Sequence, residues 1–282
     1  MHINYVRGFK ENRLGRLGII FLALILSIAF LAPVLTAYSP RQVSENIFQP
    51  PSQKHWLGTN DLGQDIWSRV IFGARTSFIT ALSVGILTVT LAVFIGCSAA
   101  LLRGIYERFV LRLIDIFLII PNILLLLLTA AYLRPGPVTM VIVLSIFNWP
   151  GCARIIRAQT LTLQEKSHIK AAKTFGAGTF YILVKHIIPD LGPILASSFI
   201  AHARRAVFME AGLAFLGISD PLLISWGTII NRALQYSYLN NWYWLLPPAL
   251  GLSLTVMAFS FLGYTLEEIL NPRLKVGKNA GD

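Results

Sequence analysis

The sequence predicts an all-α polytopic membrane protein with six transmembrane helices. Three observations predict it. The chain of 282 residues is 55% hydrophobic and only 13% charged, with a mean hydropathy of +0.64, whereas a soluble domain carries about 25% charged residues. Its apolar runs approach the roughly twenty residues that a helix needs to cross a bilayer. Lys and Arg gather in alternate polar segments, the bias expected of short cytoplasmic loops.

The same bias explains the net charge of +11, from 24 Lys and Arg against 13 Asp and Glu. Nucleic-acid binding would need an extended basic face outside the membrane, and no segment is long enough. Cys97 and Cys152 fall in or beside apolar runs, without a CxxC pair or a Cys/His cluster, so neither a disulfide nor a zinc site is predicted. His2, His55, His168, His186 and His202 are scattered without metal-ligand spacing. Neither a metal site nor a cofactor is expected.

Residues 1–16 are basic (Arg7, Lys10, Arg13, Arg16), and the first span follows over Leu17–Ala37. A signal peptide also begins with a basic stretch, but this run has the length of a span and more spans follow. It reads as uncleaved, with a cytoplasmic N-terminus. Residues 38–75 form a polar extracytoplasmic segment. Within it, Gly58 to Asp65 is rich in turn formers and capping residues, predicting a structured loop that opens a helix at Asp65. Its glycines are not followed by Gly-Lys-Ser/Thr, and no phosphate loop occurs in the chain, so it is not itself a P-loop ATPase.

The second span covers about Thr76–Leu102, with small residues that permit close helix approach. After a basic loop (Arg103, Arg108, Arg112) comes the third, Leu113–Leu133. Asp115 is placed in its first turn, poised to pair with a nearby arginine, and Pro121 is expected to kink it. A tight turn at Arg134–Pro137 leads to the fourth span, from Val138, interrupted at Asn148, Pro150 and Gly151. The fifth starts after Pro189-Asp190, reaches about Gly212 and contains His202, Arg204, Arg205 and Glu210. Charges at that depth are costly and must face protein, water or a partner subunit. An external loop with a short helical part (213–241) precedes the sixth span, Tyr243–Tyr264. The chain divides into 1–37 (N-terminus and first helix), 38–75 (extracytoplasmic), 76–264 (five-helix core with a cytoplasmic loop at 157–189) and 265–282 (tail), both termini being cytoplasmic.

The 157–189 loop has room for two or three short helices. Lys170-Ala171-Ala172 before Gly176 and Gly178 predicts a short helix with a glycine C-cap, and Phe175, Phe180 and Tyr181 are apolar anchors. From the residues alone two readings stand level: anchors for a groove on a partner protein, or an amphipathic helix lying on lipid.

Ala171-Ala172, Gly176 and His186-Ile187-Ile188-Pro189 resemble the coupling-loop signature of binding-protein-dependent ABC transporter permeases. Four further stretches resemble the second permease subunit of the dipeptide/oligopeptide/nickel family: His55 to Asp65 with Ser68-Arg69; Arg112 to Asp115 with Ile120-Pro121; Trp149-Pro150-Gly151 with Ala153-Arg154; and Glu210 to Gly217 with Ser225-Trp226-Gly227. Leu262-Gly263 and Asn271 to Leu274 also fit, so the resemblance covers nearly the whole chain. It departs at Lys170, where relatives have Glu, at Gln64, where they have Arg, and at His202, Arg204 and Arg205, where they are apolar. At the first, either the partner compensates or Glu165 takes over part of the role.

The resemblance implies a type I ABC importer permease fold in a prokaryotic plasma membrane (the inner membrane in a Gram-negative cell). It implies a second homologous permease, two ATP-binding subunits that hydrolyse the ATP, and an extracytoplasmic substrate-binding protein. Lys170, Ala171, Ala172, Gly176, Ala177, His186 and Pro189 would meet the ATPase. His202, Arg204, Arg205 and Glu210 are candidates for the substrate pathway. For the arginines, pairing with Glu210 or with the partner permease is the alternative. No catalytic residue is expected. Peptides are the implied substrate, with nickel or another chelated metal as the alternative. An ATP-independent secondary transporter is a different class, against which the coupling signature argues.

Overall fold

The protein is described here from a computed structural model, over residues 5–133, 136–220, 222–239 and 241–270. The expected turn at Arg134 and Pro135 and the tail from Asn271 lie outside the described residues. The secondary structure is helical: α1 (Tyr5–Glu11), α2 (Arg13–Leu35), α3 (Ile66–Leu102), α4 (Gly104–Ile119), α5 (Asn122–Tyr132), α6 (Pro137–Gln164), α7 (Ser167–Thr174), α8 (Thr179–Ile182), α9 (Ile188–Phe215), α10 (Trp226–Gln235) and α11 (Trp242–Leu270). Two compact units result. The first gathers Met1–Ser83, Leu133–Met140 and Ala203–Asp282; the second gathers Val84–Tyr132 and Val141–His202.

In the first unit α2 and α11 run antiparallel, brought close by small residues. Gly15 lies on Thr265, Gly18 lies on Ala258 and Leu262, and the Phe21 and Phe261 rings are 6.3 Å apart. Asn12 caps α2 by accepting from the Leu14 N–H at 2.8 Å, and its own amide donates to Glu268 at 2.5 Å. The start of α2 and the end of α11 therefore share one end of this unit. At the other end lies the polar loop before α3. Gly58 and Gly63 adopt φ of +73° and +66°, and a Cβ on Gly63 would meet the Ser44 carbonyl at 2.1 Å. Asp65 caps α3 as expected, its Oδ2 accepting from the Ser68 N–H at 2.7 Å.

The second unit has an apolar core that includes Cys97, Ile114, Trp149, Ile156, Ile169, Ile182, Ile187 and Leu191. Its helix directions settle the number of crossings. Gly96 lies on Ala153, the Cys97 Sγ is 3.4 Å from the Thr160 hydroxyl, and Gln164 donates to the Ala100 carbonyl at 3.3 Å. The α3 and α6 segments are thus parallel, with their C-terminal ends together. The chain between them must cross back, and α4 and α5 are the helices there. They bend by 85° at Ile120-Pro121, a broken span. Among the described residues five helices are long and apolar enough to cross alone, and the bent pair counted as one span makes the expected six.

Three details differ from expectation. Helix α6 runs unbroken through Asn148, Pro150 and Gly151. Trp149, Cys152, Ala153 and Ile156 are buried around the proline, and that packing outweighs a penalty of about 3 kcal/mol for proline in a helix. Asp115 lies well inside α4; the acid of the first turn is Glu107. Pro189 does not open the fifth span. It follows a π turn, Leu183–Ile187, within one helical run from Thr179 to Phe215. The wider turn absorbs the hydrogen bond that proline cannot donate.

Candidate functional site

The expected coupling residues form one continuous segment of the second unit. Ile169, fully buried, anchors α7 in the core, joined there by Ile182 and Ile187. The helix ends in a Schellman turn. The Gly176 N–H donates to Lys173 O and the Ala177 N–H to Ala172 O, each at 3.0 Å, with Gly176 at φ +83°. Ala172, Ala177 and His186 are half-buried; Lys170, Ala171, Gly176 and Pro189 are exposed. Phe175, Phe180 and Tyr181 are exposed beside them, Phe175 at 90%.

Charge fixes the segment at both ends. Lys170 Nζ lies 2.7 Å from Glu165. The hydrogen bond and then the charge of Lys170 hold the Glu165 carboxyl below the ordinary carboxylate range. Lys166 Nζ is 3.0 Å, and His168 Nε2 3.6 Å, from Asp190 at the start of α9. The His186 ring lies 5.9 Å from both His168 and Tyr181. Sequence reasoning missed the Asp190 junction; its signal was an acid in the first turn of a helix behind a run of basic residues. Two ion pairs secure the helix that leads into this segment: Arg154 with Asp115, and Arg157 with Glu107, whose Nε contact is 2.8 Å. Asp115 thus has the arginine partner expected of it.

The charged residues of α9 do not act together. Arg204 and Arg205 are exposed, and Arg204 donates to the Ser260 hydroxyl at 3.3 Å. His202 is half-buried. Glu210 is 1% exposed and faces the start of α10. Its Oε1 accepts from Ser225 at 2.6 Å and its Oε2 from Ser77 at 3.5 Å. Ser225 caps α10, and the Trp226 N–H donates to Ser77 at 3.3 Å. Gly227 packs on Ala211 so closely that a Cβ would lie 2.7 Å from its Cα. Glu210, Ser225, Trp226 and Gly227 therefore form one joint. Both glutamate oxygens receive hydroxyl donors, so the joint satisfies the buried carboxylate without an arginine.

Comparison with known proteins follows the same lines. Residues 89–276 match the family of binding-protein-dependent transport system inner membrane components, and residues 5–51 match the N-terminal transmembrane domain of oligopeptide transport permease C. A putative peptide transport system permease protein of Brucella suis is 35% identical over 96% of this chain and 91% of its own. The dipeptide transport system permease protein of Bacillus subtilis is 32% identical over 95% of this chain and 85% of its own. A glutathione transport system permease protein of Pectobacterium atrosepticum is 34% identical over 95% and 90%.

Proposed function

This chain belongs to the family of binding-protein-dependent transport system inner membrane components, and from that membership we propose that it is a permease subunit of an ABC importer for peptides. Relatives named for peptides, dipeptides and glutathione, aligned over nearly the whole chain, support peptides rather than nickel. In this reading the chain forms half of a pathway completed by a second homologous permease. Two ATP-binding subunits hydrolyse ATP, and an extracytoplasmic binding protein delivers the solute. Both termini face the cytoplasm of a prokaryote, across its plasma membrane.

The observation that carries the mechanism is the construction of α7. One face is anchored by Ile169; the other presents Lys170, Ala171 and Phe175. The bonds from Lys166 and His168 to Asp190 tie it to α9. A helix pinned to the core by Ile169 and to α9 at its N-terminal end transmits displacement as a lever, which a pathway driven by separate ATPase subunits requires and an ATP-independent secondary transporter does not. On the exposed face of α9, Arg204 and Arg205, with His202 nearby in sequence, are the groups available to a pathway or to the partner permease. Glu210 serves the joint with α10.

The test is ATP-dependent uptake by the complex of this chain with its genomic neighbours, in proteoliposomes with the binding protein. Labelled tripeptide should accumulate and unlabelled peptide should compete. Accumulation of nickel without peptide competition, or uptake without ATPase subunits, would overturn the reading.

A further inference from the structure

In the first unit, Arg69, Ser219, Thr228, Asn231, Arg232 and Gln235 line a concavity of about 260 Å³. It sits where α3 begins, beside α10. We propose that it is a carboxylate subsite at the outer mouth of the pathway, taking the C-terminal carboxylate of the transported peptide. This inference rests on the importer reading above.

The charge balance carries it. Arg69 is 6% exposed, and its guanidinium donates to Gln64 Oε1 at 2.5 Å and to the Pro40 carbonyl at 3.2 Å, both neutral acceptors. Arg232 holds Asp61 through Nε at 3.1 Å and a terminal nitrogen at 2.9 Å. Among the described residues Arg69 has no carboxylate within ion-pair distance, so two guanidiniums line the concavity and one acid answers them. Asp61 acts on both guanidiniums but is shared between them, and Arg41 adds a further cation nearby, so the excess positive charge favours an anion in the space beside Arg69. The guanidinium fork matches a carboxylate better than any other common side chain does.

The rest of the lining suits the same ligand. Asn231 donates to the Phe215 carbonyl at 2.7 Å and accepts from Gln235 at 3.1 Å, which holds both amides in place. The Ser219 and Gln235 side chains add neutral polar groups, and among the described residues the lining has no large apolar side chain. A peptide terminus fits such a place; a hydrophobic side chain does not. Gln64 keeps Asn60 and Arg69 joined, its Oε1 also accepting from Asn60 at 2.9 Å.

The carboxylate could instead be supplied by an acidic side chain of the docking binding protein, and the experiment separates the two. Gln235→Glu places a competing carboxylate in the concavity with almost no change of shape. In proteoliposomes, KM for triglycine should rise about tenfold, the loss of one charge-assisted interaction, while KM for triglycinamide stays unchanged. Arg232→Lys should weaken triglycine uptake in the same selective way. Equal effects on both peptides, together with weaker docking of the unliganded binding protein, would assign the carboxylate to that protein and overturn the substrate subsite. Unchanged KM for both peptides would also overturn it. Should the wild-type complex move no peptide, the importer reading falls. Calorimetry on the solubilised complex then decides the subsite by itself. Tighter binding of triglycine than of its amide, lost in Gln235→Glu, sustains it; equal binding overturns it.

Discussion

Lys170 and Glu165 form an ion pair of 2.7 Å on the exposed side of α7. A carboxylate stands at the base of the helix, with a cation in front of it. Exposed pairs of this kind add little stability. Glu165→Gln and Lys170→Ala should therefore leave the melting temperature unchanged. Lys170→Glu should alter the ratio of ATP hydrolysed to peptide moved, because it reverses the charge on the face of α7 that we propose meets the ATPase. The carboxyl of Glu165 is held below its ordinary value. The pair is then fully formed above that value and is lost as pH falls through the lower, folded one. Any small difference between the melting curves of wild type and Glu165→Gln should therefore lie at neutral pH and vanish in acid, where Glu165 is protonated and the pair is gone.

Gly176 occupies open space, so size alone does not forbid a side chain there. Its φ of +83° does. Gly176→Val should cost about 1–2 kcal/mol by forcing a branched residue into the left-handed region, and Gly176→Asn clearly less. The strain falls on the turn that ends α7. Gly176→Val should thus keep the complex assembled, as read by co-purification of the ATPases, but lower uptake per ATP. Uptake equal to wild type would remove Gly176 from the lever.

Much of this was legible in the sequence. Apolar run length found the spans, Pro121 found the break between α4 and α5, and Lys170 to Gly176 found α7 with its cap. The continuity of α6 was not legible, because local propensity treats Pro150 as a break and cannot see Trp149 and Ile156 packing around it. The grouping of Glu210 with Arg204 and Arg205 overlooked a signal that was present. Ala203, Ala206, Val207 and Glu210 are buried at helical spacing, while Arg204, Arg205 and Phe208 lie exposed on the other face. A period of 3.6 would have parted the glutamate from the arginines. Its partners Ser77 and Ser225 are distant in sequence, and only tertiary structure brings them to it.

Arg157 and Glu107 join α6 to α4 in a half-buried setting, with side chains 22% and 17% exposed. Removing one partner strands the other charge at the helix interface. Glu107→Gln should destabilise the complex by about 1–3 kcal/mol. The exchanged pair, Glu107→Arg with Arg157→Glu, should recover part of that loss. A double-mutant cycle on thermal denaturation in detergent measures the coupling. Strictly additive losses would show that the two residues act separately.

Glu210 and Arg205 should fail in opposite ways. Glu210→Ala leaves Ser225 and Ser77 without their acceptor and opens a void beside Gly227. The expected loss is about 2–4 kcal/mol, seen as a lower melting temperature and poorer recovery of the assembled complex. Glu210→Gln keeps the volume and one acceptor oxygen, so it should retain more stability than the alanine variant. Ser225→Ala removes both the helix cap and the donor to Glu210, and its effect should be strongly non-additive with that of Glu210→Ala. Arg205→Gln touches none of these bonds. It should leave the melting temperature in place and change either peptide KM or the yield of the permease pair. A raised KM with full assembly places Arg205 at the pathway; normal kinetics with poor pairing place it at the partner permease.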